Sequence, residues 1–145
     1  MLVVEPNKTN LAVMARRLVE AGYRVSTAET AQDAVAELHR VHVDLVLAEL
    51  YMPRMGGAEL ARLIRDEVMW REIPVMLITG KSEPKGAVRA YEAGADDVIL
   101  KPFHFEVLFA RIARRKSGTA SAGRPTRTRT PPRVPLKAAS SGCAP

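Results

Sequence analysis

Cysteine is nearly absent from this chain: Cys143, close to the C-terminal end, is the single one. That excludes an internal disulfide and a cysteine-based metal cluster. Long apolar runs are missing too. No stretch approaches the roughly 18 to 20 residues of a membrane span, and Met1-Leu-Val-Val-Glu-Pro lacks the basic start and apolar core of a signal peptide. A cytoplasmic protein without a membrane role is therefore expected. Acidic residues cease after Glu106, so the net charge of +6 is unevenly spread. Residues 1–116 carry 17 of the 22 Lys and Arg against all 16 acids, which makes that part +1 and residues 117–145 +5.

What is present fits one domain with an appendage. The 47% of hydrophobic residues suffice for a single core in a chain of 145 residues. Ser117 to Pro145 is Ser, Thr, Ala, Gly and Pro with spaced cations, and Val134 and Leu136 are its only large aliphatic side chains. Such a segment cannot bury enough apolar area to offset its ordering entropy, so a disordered basic tail is predicted over 117–145 and a folded domain over 1–116. Arg124, Arg127, Arg129, Arg133 and Lys137 lack interleaved aromatics, which disfavours nucleic-acid binding relative to a merely solvated charge run.

Within the folded part, five short apolar runs alternate with stretches of helical period. The runs are Leu2 to Val4, Tyr23 to Thr27, Leu45 to Ala48, Val75 to Ile78 and Val98 to Leu100. Between them, Leu11, Met14 and Leu18, then Ala31, Val35 and Leu38, then Leu60, Leu63 and Ile64, and finally Val107, Leu108, Arg111 and Ile112 recur at three or four residues. Gly22 and Gly94 suit helix stops and Pro84 a helix start. Five βα repeats imply an α/β fold: a doubly wound parallel sheet of flavodoxin-like order 2-1-3-4-5. Ligands of such sheets bind beyond the carboxyl ends of the strands, where the strand order reverses. Glu5, Glu49 and Thr79 end strands 1, 3 and 4, and Lys101 ends strand 5. Topology alone thus predicts two carboxylates, a hydroxyl and an ammonium around one crevice.

The spacing of Leu2-Val-Val-Glu-Pro, Asp44-Leu-Val-Leu-Ala-Glu-Leu-Tyr-Met-Pro-Arg-Met-Gly-Gly, Thr79-Gly80 and Lys101-Pro102-Phe103 strongly resembles the receiver domain of two-component response regulators. In that family an acidic pair after strand 1 and an acceptor aspartate hold magnesium, while a Thr or Ser and a Lys contact the phosphoryl oxygens. By position, the resemblance makes Glu5 the first acid, Pro6 the second, Glu49 the acceptor, Thr79 the hydroxyl and Lys101 the ammonium. It also implies a cis peptide before Pro102 and places Tyr51 at the rim of the site. Three positions depart from the pattern. Glu49 stands for aspartate and adds a methylene of roughly 1.5 Å. Pro6 stands for the acid that ligates magnesium directly. Val98 stands for the aromatic residue that swings inward on activation.

These departures predict a degenerate, pseudo-receiver site. A metal is expected to be absent or weakly held, as Mg2+ on Glu5, Glu49 and the Tyr51 carbonyl, because a magnesium ion needs near-octahedral oxygen ligands. Misplacement by about 1 Å can cost on the order of a hundredfold in an in-line displacement, so Glu49 is read as a fixed negative charge rather than an acceptor. The expected role is a stand-alone, non-enzymatic signalling module of a phosphorelay, acting by protein–protein interaction with a histidine kinase or another signalling protein. The alternative is a weakly phosphorylated relay element or phosphate sink. A homodimer through the fourth helix, fifth strand and fifth helix is a further implication of the resemblance. His39, His42 and His104 form no metal-like cluster and are expected to face solvent. Met52, Met55, Met69 and Met76 are expected to pack, and Trp70 to be a partly exposed anchor.

Overall fold

The computed structural model describes residues 1–80 and 84–121. Five strands, β1 (Leu2–Val4), β2 (Ser26–Ala28), β3 (Val46–Glu49), β4 (Val75–Thr79) and β5 (Asp97–Leu100), alternate with five helices. The helices are α1 (Lys8–Glu20), α2 (Ala31–Arg40), α3 (Gly57–Asp66), α4 (Pro84–Glu92) and α5 (Phe105–Ser121). Every strand pairing is parallel, and the order is β2-β1-β3-β4-β5. This is the flavodoxin-like arrangement that the alternating periodicities predict. The chain divides into two compact units, Met1–Leu108 and Phe109–Pro145; the described part of the second is the continuation of α5 to Ser121.

The two faces of the sheet separate by the period-two alternation of strand side chains. Leu2, Val4, Val46, Ala48, Val75 and Leu77 join one core with α2, α3 and α4, including Ala31, Ala34, Leu60, Ala61, Ile64 and Ala90. The intervening Val3, Leu47, Met76 and Ile78 are buried as well, along with Leu11, Met14 and Leu18 of α1. Strands covered on both faces read as continuous apolar runs, which is why Leu45 to Ala48 and Val75 to Ile78 show no alternation in the sequence.

Helix ends follow local chemistry. Asn7 caps α1, its Oδ1 accepting from Asn10 N at 2.9 Å, and Thr30 caps α2 by accepting from Asp33 N at 3.0 Å. At the other end of α1, Gly22 takes φ +101°, Gly22 N donates to Val19 O and Tyr23 N donates to Leu18 O. That is a Schellman closure, and Gly94 (φ +107°) repeats it after α4 with Ala95 N donating to Ala90 O. The closure explains one departure from the apolar pattern: β2 starts at Ser26 rather than Tyr23, because Tyr23 is still bound into the cap of α1.

Helix α5 runs through Lys116 to Ser121. The rest of the tail, residues 122–145, lies outside the described residues. Three further expectations need correction. Trp70 is buried at 6% exposure, its ring edge-to-face with His39 at 4.8 Å. Met69 is 67% exposed instead of packed, since the turn after α3 commits Trp70 to the core and turns Met69 outward. Val107 is 47% exposed, so only Leu108 of that α5 pair points inward. His39, His42 and His104 are exposed as expected.

Candidate functional site

The carboxyl ends of β1, β3, β4 and β5 bring Glu5, Glu49, Thr79 and Lys101 together. Three of these are buried polar groups, at 5%, 8% and 1% exposure for Glu5, Glu49 and Thr79. Burial at a strand end costs free energy unless each polar atom is satisfied. Here the partners are specific. Lys101 Nζ lies 2.7 Å from Glu49 Oε1 and 3.6 Å from Glu5 Oε1. Glu49 Oε2 accepts from the Tyr51 backbone N–H at 3.2 Å, and Glu5 Oε2 accepts from Asn7 N–H at 2.9 Å. All four carboxylate oxygens are therefore engaged by donors of the chain itself.

Lys101 is held at its backbone too, its N–H donating to Thr79 O at 2.8 Å, and the Lys101–Pro102 peptide is cis. Burial works against the charged ammonium, but the hydrogen bond and charge of Glu49, helped by Glu5, outweigh it. The net result is a Lys101 pKa above its ordinary 10.5. The ammonium is thus a cation locked between two anions at neutral pH.

Val98 sits on β5 opposite Leu77, half-buried against the core beneath α2, α3 and α4. Pro6 is half-buried between Glu5 and the cap residue Asn7, and its side chain offers no oxygen. Tyr51 reaches farther than a rim position implies: a Cβ on Gly86 of α4 would stand 2.7 Å from the Tyr51 hydroxyl oxygen. The tyrosine therefore spans from the Glu49 carboxylate, through its N–H, to a helix on the other side of the crevice. Sequence reasoning missed three contributors. Asn7 supplies an N–H to Glu5, a role with no side-chain signature. Gly57 lets α3 start directly beneath Glu49, because a Cβ there would lie 2.5 Å from Glu49 O. Arg54 adopts φ +67°, the one non-glycine positive φ among the described residues.

Fold and crevice together define a class of signalling domain, and similarity identifies it independently. Residues 1–113 match the response regulator receiver domain family, and the chain belongs to that family. It is 36% identical over 111 residues to the phosphate regulon transcriptional regulatory protein PhoB of Klebsiella pneumoniae, covering 77% of this chain and 48% of that protein. It is 34% identical over 121 residues to the two-component response regulator PhoP of Pseudomonas aeruginosa, covering 81% and 53%. The chain thus spans about half the length of these two relatives. Among solved structures, the receiver domain of a signal transduction histidine kinase from Syntrophus aciditrophicus is similar with a TM-score of 0.77 and 34% identity, over 89% of this chain and 95% of that one.

The magnesium ion implied by the family meets a donor set that does not suit it. Among the described residues no group of three or more His, Cys, Asp or Glu could hold a metal. The crevice offers two carboxylates, and Lys101 already pairs with both. A hard divalent cation would have to displace an ammonium 2.7 Å from its partner while lacking the ligand that Pro6 removes.

Proposed function

We propose that this receiver works as a pseudo-receiver: a protein-binding module of two-component signalling whose surface does not depend on phosphorylation of Glu49. The observation that carries this reading is the 2.7 Å pair between Lys101 Nζ and Glu49 Oε1, with Glu5 as second partner. The carboxylate that would attack phosphorus is occupied by the cation that would otherwise contact the phosphoryl oxygens. Glu49 then resembles the phosphorylated state only partly, bringing one negative charge where a phosphoryl group brings about 1.5 to 2. Half-buried Val98 supports a fixed surface, since it has no ring to rotate inward. The module is not an enzyme in this reading, magnesium is at best a weak ligand, and the partners are a histidine kinase or another signalling protein.

The second reading, a weakly phosphorylated relay element or phosphate sink, is favoured by one observation. Thr79 and Lys101 remain at the strand ends, bonded to one another through the backbone. One experiment separates the readings. Wild-type protein incubated with acetyl phosphate and magnesium, and separately with a phosphorylated histidine kinase, is measured by intact mass. No phosphoryl gain agrees with a fixed charge; a gain mapped to Glu49 contradicts it and favours the relay or sink.

A further inference from the structure

A cleft of about 410 Å³ opens beside the crevice, between the loop that follows β3 and helix α4. Its walls include Leu50, Tyr51, Met52 and Pro53, and its charged groups are Arg54, Glu59 and Arg89. Both arginines are exposed, and neither guanidinium has a hydrogen bond or ion pair among the described residues. Glu59 is already in use, its Oε1 accepting from Gly56 N–H at 3.1 Å as part of the α3 cap. Among the described residues the cleft is therefore left with two uncommitted cations against one committed acid.

Arg54 strengthens this reading. A bulky residue at φ +67° is held in a sparsely populated backbone region, and outliers of this kind cluster at binding and switch sites. Tyr51 adds rigidity, since its hydroxyl rests against Gly86, one helical turn before Arg89. The loop carrying Arg54 and the helix carrying Arg89 are thus braced against each other through one side chain.

We infer that this cleft is a docking site for an acidic segment of a protein partner, whose Asp or Glu carboxylates pair with Arg54 and Arg89 while an apolar neighbour lies on Tyr51, Met52 and Pro53. Planar guanidinium groups match carboxylates in bidentate geometry, and exposed arginines with an apolar floor are the composition of a protein interface. A nucleic-acid strand fits less well, because Glu59 lies in its path and the cationic groove is short. A small inorganic anion fits less well, since Arg54 and Arg89, the two cations that line the cleft, are both exposed. This chain's own residues 117–145 are no candidate, because they carry five cations and no acid. The inference rests on the role of the domain as a protein-binding module and names the chemistry of the partner.

Selection of a random short-peptide library against the full immobilised chain tests it. Selected sequences are expected to be rich in Asp and Glu, and the best of them should bind the Arg54→Glu/Arg89→Glu variant at least about tenfold more weakly. Both side chains are exposed, so this variant should melt with the wild type, and amide shifts at Tyr51 and Gly56 on peptide addition locate the contact. Absence of acidic enrichment overturns the proposal. So does enrichment that survives in the double variant, or displacement of the peptide by inorganic phosphate or a single-stranded oligonucleotide at equal concentration. The intact mass of the wild type after incubation with acetyl phosphate and magnesium, measured separately, reports on the fixed charge, so failure of one idea is distinguishable from failure of the other.

Discussion

Lys101 and Glu49 approach to 2.7 Å across the carboxyl ends of β5 and β3, and the same ammonium stands 3.6 Å from Glu5 beyond β1. One cation therefore ties three strands together where two buried carboxylates would otherwise repel. Replacing it with Lys101→Met should destabilise the fold by about 1–3 kcal/mol, less than the about 3–5 kcal/mol of a fully buried broken pair because Lys101 is partly exposed. Urea unfolding checks this. The double variant Lys101→Met/Glu49→Gln should be less destabilised than the two single changes added together, since neutralising the glutamate removes the orphaned charge.

The pH dependence has a definite sign. The folded-state pKa of Lys101 is raised above its ordinary 10.5, so the pair's contribution is complete below that pH and is lost as pH climbs through the higher folded value. The lysine Cε resonance, followed by NMR in selectively labelled protein, should titrate above 10.5 in the wild type and return toward it in Glu49→Gln. The melting temperature should fall more steeply at high pH in the wild type than in Lys101→Met.

Arg65 predicts a measurable loss away from the crevice. Its guanidinium donates to Gly94 O at 2.9 Å, Arg71 O at 3.1 Å, Ile73 O at 2.7 Å and Asp96 Oδ2 at 2.7 Å. Arg65→Ala leaves three carbonyls and a carboxylate without this donor, so a loss of about 2–3 kcal/mol is expected by denaturant unfolding. Arg65→Lys should recover only part of it, because an ammonium cannot present the same planar fork.

Much of this architecture is legible in the sequence, for identifiable reasons. Strands buried on both faces appear as uninterrupted apolar runs, and Gly22 and Gly94 stand where Schellman closures require positive φ. Glu5, Glu49, Thr79 and Lys101 are locatable because parallel topology sends every strand's carboxyl end to one edge. Trp70 and Met69 depart from the expected burial for a different reason. They are adjacent in a turn without periodicity, and tertiary packing against His39 decides which of them turns inward. Arg54 and Arg89 escape sequence reasoning because no pattern pairs them: Arg54 lies within the segment that follows Glu49 and Arg89 lies in α4. Their convergence depends on the path of a loop and the placement of α4.

Magnesium should bind the crevice in the millimolar range at best. Backbone amide shifts of Glu5 and Glu49 are the suitable reporters. Trp70 is not, because it precedes β4 and packs on the end of α2, at the amino ends of the strands and opposite the crevice. Saturation at micromolar metal would show that Lys101 yields its place readily.

The most direct measurement of the fixed-charge role is the intact mass of wild type, Glu49→Asp and Glu49→Asp/Pro6→Asp after incubation with acetyl phosphate and magnesium. Shortening residue 49 should leave the protein unmodified, since the ligand missing at Pro6 is still missing and Lys101 remains available to the shorter carboxylate. Only the variant with both changes should gain a hydroxylamine-sensitive phosphoryl group, at position 49. A phosphoryl group on Glu49 of the wild type, or on the single Glu49→Asp variant at a level equal to the double, would contradict the fixed charge.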